Sequence, residues 1–218
     1  MKTHILSYPR SGNSWTRYVA EHLSGRPTRG CEDNELDVPL CTNTMEPNPL
    51  AHVRQDEPPV LYKSHTPGGT GLEPGDRILF ITRDPATAVR RHKRKLSRDQ
   101  FRIYTELLET YHDWPGDKLL IKYEELVSEP AKVIRELAAF IDVPAERVDA
   151  FMADYEQHKR NSISLYSDPS TGVPAKGKSK TRGRLKSSLI NRWASRRYVR
   201  RLRREGKAHL CEYFSSVD

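Results

Sequence analysis

Three short apolar runs in this chain end in residues that can do chemistry. Arg10, Ser11, Gly12 and Ser14 follow the run Ile5-Leu6-Ser7-Tyr8, Lys63 and His65 close Val60-Leu61-Tyr62, and Arg83 follows Ile78-Leu79-Phe80-Ile81. The first group reads as a buried strand, a tight turn and the first turn of a helix. Pro9 cannot donate to a sheet ladder, so it ends the strand. Gly12 can take a conformation closed to other residues and lets a ligand approach the main chain. A helix over 14–23 then starts with unpaired N–H groups and the positive end of its dipole at the turn. Arg10, Ser11 and Ser14 add side-chain donors around the same spot. Such a turn is an anion site, phosphate foremost; the stretch by itself leaves open an ordinary strand-to-helix connection with capping serines. Lys63 and His65, two residues apart on an extended strand, point to one side. A cation and an imidazole able to move a proton near neutral pH would thus face the anion turn.

Strands over 3–8, 59–65, 77–83 and 118–123 must position these groups. Arg77-Ile78-Leu79-Phe80-Ile81-Thr82-Arg83 is nearly continuous in apolar residues, as a strand buried on both faces should be. Asp84-Pro85 opens a helix with an acid at the cap and Pro at the first position. That helix runs on or breaks before a helical stretch over 100–112. Ser128-Glu129-Pro130 starts another through Phe140, and Val133, Ile134, Leu137, Ala138 and Ile141 keep the helical period. One helix is expected over 145–158 and another over 187–205. Strands alternating with helices imply an α/β fold, a central parallel β-sheet flanked by helices, which binds ligands at the carboxyl ends of its strands.

The chain has 218 residues, enough for a single domain over 1–218. Residues 24–59 break any regular pattern with Gly25, Pro27, Gly30, Pro39, Pro47, Pro49, Pro58 and Pro59, and acids outnumber bases there. This insert reads as an acceptor-side loop or lid, or as a plain insertion. Residues 167–186 are expected to form a flexible basic loop. The net charge of +8 is unevenly spread: residues 176–207 hold 14 Lys/Arg against the single acid Glu205. Such a block attracts polyanions or anionic membranes, covers an anionic cosubstrate, or is simply solvated. No apolar run is long enough to span a bilayer and the N-terminus shows no signal-peptide pattern. Three cysteines without metal-ligand spacing point to free thiols, with a Cys31–Cys41 pair not expected, and hence to a cytoplasmic protein.

The motifs resemble a known family. Tyr8-Pro9-Arg10-Ser11-Gly12-Asn13-Ser14-Trp15 is similar to the 5′-phosphosulfate loop of the sulfotransferases that use 3′-phosphoadenosine 5′-phosphosulfate, roughly Tyr-Pro-Lys-Ser-Gly-Thr-Thr-Trp in that family. Lys63-Ser64-His65-Thr66-Pro67 resembles the family's Lys-Thr-His-Leu-Pro segment, whose His is the catalytic base. Phe80-Ile81-Thr82-Arg83-Asp84-Pro85 resembles the segment whose Arg contacts the 3′-phosphate. Lys122-Tyr123-Glu124-Glu125-Leu126 resembles the Tyr-Glu-Asp-Leu-type segment whose Tyr lies near the adenine. The resemblance spans about residues 2–142.

It implies a P-loop-nucleotide-hydrolase-like sulfotransferase fold and an in-line transfer of sulfuryl to a hydroxyl or amine of a small-molecule acceptor, with adenosine 3′,5′-bisphosphate as product and no metal. His65 would be the base, with Arg10 and Lys63 stabilising charge. The cosubstrate would be held by Arg10, Ser11, Gly12, Asn13, Ser14, Trp15, Arg83 and Tyr123. The chain also departs from the pattern. Arg10 replaces the commoner Lys, and Arg91 stands where the family has a Ser that binds the 3′-phosphate. The C-terminal Arg-Lys-Gly-x-x-Gly-x-Trp segment has no clean match, with Arg182 and Gly183 of Lys180-Thr181-Arg182-Gly183 the best candidates and Lys176-Gly177 next. Two alternatives stand beside this reading. A P-loop-like nucleotide kinase would need the Gly-x-x-x-x-Gly-Lys-Ser/Thr signature, which the chain lacks. A non-enzymatic polyanion-binding protein would use the basic C-terminal segment, although nucleic acid is not the expected partner.

Overall fold

The computed structural model describes residues 1–30, 39–42, 47–68, 71–165 and 182–214, without the side chains of 182–188. Its sheet comprises β1 (Thr3–Ser7), β2 (Thr28–Gly30), β3 (Leu61–Ser64), β4 (Arg77–Thr82) and β5 (Lys118–Lys122), all parallel, in the order β2-β3-β1-β4-β5. His4 of β1 sits opposite Tyr62 on one side and Ile78 on the other. With β2 and β3 to one side of β1 and β4 and β5 to the other, the carboxyl end of β1 opens at the point where the winding changes direction.

The helices are α1 (Asn13–Ser24), α2 (Pro85–Lys93), α3 (Arg98–Asp113), α4 (Tyr123–Ser128), α5 (Pro130–Phe140), α6 (Ala145–Ala153), α7 (Tyr155–Ser164) and α8 (Arg182–Arg204). Strand alternation feeds two cores. Ile5, Leu61, Leu79 and Ile81 pack with Val19 and Leu23 of α1, Ile134 and Leu137 of α5 and Phe151 of α6. Leu6, Ile78 and Phe80 pack with Val89 of α2, Tyr104 and Leu108 of α3 and Tyr198 and Leu202 of α8. Asp84 caps α2 as expected, accepting the Thr87 N–H at 2.7 Å, with Pro85 at the first helical position.

Several expectations need correction. The 24–59 insert contains a fifth strand, β2, paired in register with β3. It is fastened by Glu21, fully buried in α1, whose carboxylate accepts the N–H groups of Thr28 (3.0 Å), Leu40 (3.0 Å) and Cys41 (2.8 Å). The strand expected over 118–123 stops at Lys122, because Tyr123 begins α4. The single helix expected over 145–158 breaks at Asp154 into α6 and α7, and the break lets the rings of Phe151 and His158 stack at 4.1 Å. On one straight helix those rings would stand about 10 Å apart along the axis.

The C-terminal helix begins at Arg182, inside the span expected to be loop, and residues 166–181 lie outside the described residues. Its second half is core rather than an appended tail. Tyr198 and Leu202 are buried, and the 3-10 turn Ala208–Tyr213 beyond it buries Leu210 and Tyr213. Cys41 and Cys211 carry free thiols, while Cys31 lies outside the described residues.

Candidate active site

The carboxyl ends of β1, β3, β4 and β5 bring the sequence candidates to one edge of the sheet. The turn after β1 uses two positive φ values, 71° at Arg10 and 109° at Gly12. Gly12 is required for a second reason: a Cβ there would sit 2.9 Å from Cδ2 of Tyr123. Ser11 is fully buried, and neither its Oγ nor Oδ1 of the buried Asn13 has a hydrogen-bond partner among the described residues. Buried polar atoms are almost always satisfied, so the orphaned Ser11 hydroxyl, a donor at a helix N-terminus, makes this turn a candidate anion cradle, whereas Asn13 Oδ1 can only accept and needs a donor. Ser14 is half-buried in the first turn of α1, and Arg10 is exposed beside the turn.

His65 follows β3 and reaches back to β1. Its Nδ1 lies 2.6 Å from the Ser7 carbonyl oxygen and 3.4 Å from Ser7 Oγ, which in turn accepts from Asn13 Nδ2 at 3.1 Å. A carbonyl can only accept, so Nδ1 carries the proton and the lone pair of the neutral ring is on Nε2. Lys63 is half-buried on β3, opposite Ile5 and Gly30 in register. Sharing parity with the buried Leu61, it points toward the first core, the α1 side of the sheet.

Arg83 is the most constrained member. One hydroxyl, that of Tyr104, donates to its carbonyl at 2.7 Å and accepts its N–H at 3.0 Å. Its Nη1 donates to the Arg10 carbonyl at 3.0 Å, and its guanidinium lies 3.7 Å from the Tyr123 ring centroid. Burial lowers the Arg83 pKa from the usual arginine range, and the charge of Arg91 adds to the depression. Arg91, exposed on α2, is therefore near enough for its charge to act on Arg83. The Asp84 carboxylate accepts from Thr87 N–H and from the Ser195 hydroxyl of α8, and its charge still acts on Arg83. Ser195 also accepts the Ala86 N–H at 3.2 Å, and Asn191 donates to Thr87 Oγ1.

Trp15 is half-buried in an aromatic group, stacked on Tyr18 at 5.5 Å with Tyr155 edge-on at 5.9 Å. Arg182 and Gly183 form the first turn of α8, and their side-chain environment is outside the described residues, as are Lys176, Gly177, Lys180 and Thr181. Sequence reasoning missed Ser7, Tyr104, Tyr155 and Ser195. Ser7 had a faint signal as the last residue of β1. The other three come from distant helices, and no local pattern marks them. Among the described residues no group of three or more His, Cys, Asp or Glu could hold a metal ion.

Residues 97–205 match the family model described as a sulfotransferase domain. Of the motif segments above, the one around Tyr123 falls inside that match, and those around Gly12, His65 and Arg83 precede it. No curated protein matches the chain in sequence. Among solved structures, the chain is similar to mouse sulfotransferase SULT7A1 complexed with PAP, at 15% identity and a TM-score of 0.50, covering 90% of this chain and 87% of that one. It is also similar to a sulfotransferase from Alicyclobacillus acidocaldarius, at 15% identity and a TM-score of 0.43, covering 78% of this chain and 98% of that one.

Proposed function

The chain belongs to the sulfotransferase domain family, a family of transferases, and from that premise we propose that it passes a sulfuryl group from 3′-phosphoadenosine 5′-phosphosulfate to a hydroxyl or amine of a small-molecule acceptor. The five parallel strands between two helical layers are the P-loop-like fold of that family. The observation that carries the reading is the hydrogen bond from His65 Nδ1 to the Ser7 carbonyl, beside a turn with orphaned polar atoms. It directs the basic Nε2 of His65 to the acceptor, from which it takes the proton.

The acceptor oxygen or nitrogen then forms a bond to sulfur as the bond from sulfur to the 5′-phosphate oxygen breaks, and that electron pair leaves with adenosine 3′,5′-bisphosphate. The cosubstrate supplies the activated sulfuryl group on a phosphate leaving group. Arg10, Lys63 and the N–H groups at the start of α1 face the charge that develops there. A guanidinium is a poor proton donor, so the role of Arg10 is to stabilise the charge of the leaving phosphate. Ser11, Asn13 and Ser14 line the cradle, with Gly12 allowing close approach. Arg83 gives one of its five N–H groups to Arg10 O and can offer a forked pair of the rest to the 3′-phosphate, with Arg91 as its second cation. Trp15 and Tyr123 flank the adenine, and Tyr155 supports Trp15. Arg182 and Gly183 are assigned to the 3′-phosphate side on the resemblance of Lys180-Thr181-Arg182-Gly183 to the family's C-terminal segment.

The test is transfer of labelled sulfate to an acceptor panel read by mass spectrometry. His65→Ala should lower turnover by about 10²–10⁴-fold with adenosine 3′,5′-bisphosphate binding retained. Equal transfer by wild type and variant would overturn the mechanism.

A further inference from the structure

One face of α8 takes no part in the site above. The helix buries Ala194, Ser195, Tyr198, Val199 and Leu202. At about 100° per residue, Leu189, Trp193, Arg196, Arg197, Arg200 and Arg204 fall together on the opposite side. Leu189, Ile190 and Trp193 are 67%, 47% and 61% exposed, a concentration of apolar surface at one end of the face. From Leu189 to Arg204 there are seven arginines and no acid. Beside this face, between the start of α3 and α8, lies a groove of about 740 Å³. Leu96, Phe101 and Trp193 give it apolar walls, and Arg98, Arg197 and Arg204 bring guanidinium groups to it. Glu205 neutralises one further arginine, Arg201, at 2.6 Å.

We propose that this face docks the protein on an anionic phospholipid surface. Trp193, Leu189 and Ile190 enter the boundary between headgroups and acyl chains, and the arginines meet the lipid phosphates. Stable peripheral binding takes both signals, an apolar insertion and a basic patch, and both are present on one face. The indole of Trp193, with the Arg197 guanidinium 5.4 Å from its ring centroid, has the apolar body and polar edge that suit this boundary. A nucleic acid duplex would satisfy the arginines, but it stacks its base faces inward and offers nothing to Leu189 and Ile190. A second copy of the chain carries the same positive charge on this face and is repelled by it.

The test uses the full chain in sedimentation with vesicles of phosphatidylcholine alone and with about one-third phosphatidylglycerol, at about 0.1 M salt. Wild type should bind the anionic vesicles at least about ten-fold more tightly, and that binding should fall as salt is raised. The double variant Arg197→Gln/Arg204→Gln should lose about five-fold in affinity per arginine. Trp193→Ser should also weaken binding while the salt dependence remains. Circular dichroism melts establish that each variant is folded, and sulfate transfer to a soluble acceptor should be unchanged in all of them. Equal binding to both vesicle types, or none, overturns the proposal. So does unaltered affinity in folded Trp193→Ser, which would reduce the face to a general polyanion surface. Duplex DNA that displaces the chain fully from vesicles, with an affinity indifferent to Trp193→Ser, would assign the face to nucleic acid instead.

Discussion

A single hydroxyl organises the Arg83 side of the candidate site. Tyr104 is buried in α3 and bonds both main-chain polar groups of Arg83, which fixes the backbone where β4 ends. From there the guanidinium lies on Tyr123, and Tyr123 lies on Gly12. Arg83 also donates to the Arg10 carbonyl, so the turn after β1 and the turn after β4 are one mechanical unit. Gly12→Ala strains that unit twice, through a φ of 109° and through a Cβ 2.9 Å from Tyr123. It should cost about 1–3 kcal/mol in stability and weaken adenosine 3′,5′-bisphosphate binding, both read by titration. Adding Tyr123→Ala removes the clash but not the backbone strain, so only part of the stability should return; a fully tolerated Gly12→Ala would refute the unit. Arg10 is tested by a pair of variants. Arg10→Lys keeps a cation at the turn and should hold adenosine 3′,5′-bisphosphate binding within a few-fold. Arg10→Ala should lose about 10–100-fold by calorimetry, the scale of a charge-assisted contact. Equal, mild losses in both variants would remove Arg10 from the mechanism.

At the scale of elements, Glu21 decides whether the 24–59 segment is attached to the fold. Its carboxylate collects the amides of Thr28, Leu40 and Cys41, and Arg17 Nε donates to Thr28 Oγ1 at 2.7 Å in the same buried cluster. Glu21→Ala leaves those buried N–H groups without an acceptor, at a cost of about 1–3 kcal/mol each before relaxation. We expect a net loss of about 2–4 kcal/mol, seen as a fall of roughly 5–15 °C in Tm. The segment should also become a preferred site of limited proteolysis; an unchanged Tm with no new cleavage would show that the cluster does not hold it. The strand ends were legible in the sequence because strand, turn and helix cap are contiguous: Pro9, Gly12, Asp84 and Pro85 each act within a few residues of where they stand. β2 was not, because Thr28–Gly30 is too short to show a period and is a strand only through its pairing with β3. The role of Ser7 depends on how closely β3 delivers His65, and that of Tyr104 on a helix packed later in the chain. Such tertiary choices leave no local pattern. The helix over 187–205 was correctly helix-prone, and its scattered apolar residues are explained by its two environments, exposed at Leu189, Ile190 and Trp193 and buried at Val199 and Leu202.

The whole molecule folds around two cores on opposite faces of one sheet, and titratable rings are embedded in both faces. On the α1 side, His22 lies 4.3 Å from the ring of His158 and 4.6 Å from that of His52. Burial, reinforced by the positive charges of His158 and His52, pulls the His22 pKa down to about 3. Burial also lowers His158, with His52 acting in the same sense and Asp154 opposing. Burial lowers His4 as well, although Asp76 opposes it. Each of these rings binds a proton more weakly in the folded chain than in the unfolded one. Their contribution to stability is complete above the unfolded value of about 6.5 and is lost as pH falls below it, over a window that for His22 extends to about 3. At the alkaline end the sign reverses. Burial raises Tyr8 and Tyr111 to about 12, so their contribution is complete below the unfolded value near 10 and is lost as pH rises through the folded value. Burial likewise raises the Cys41 thiol from 9.0 to about 12, so stability should be flat from about pH 6.5 to 9 and fall on both sides. On the acid side, each pH unit across which folded and unfolded chains differ by one proton changes stability by about 1.4 kcal/mol. His22 is only partly buried, so its own slope should be smaller than that. Denaturant titrations at pH 7.5 and 5.0 on wild type and His22→Gln isolate it. The variant should lose less stability between the two values than wild type does, because a neutral amide has no proton to take up. Coincident acid-side profiles would show that the cost of protonating this cluster falls on His158 instead.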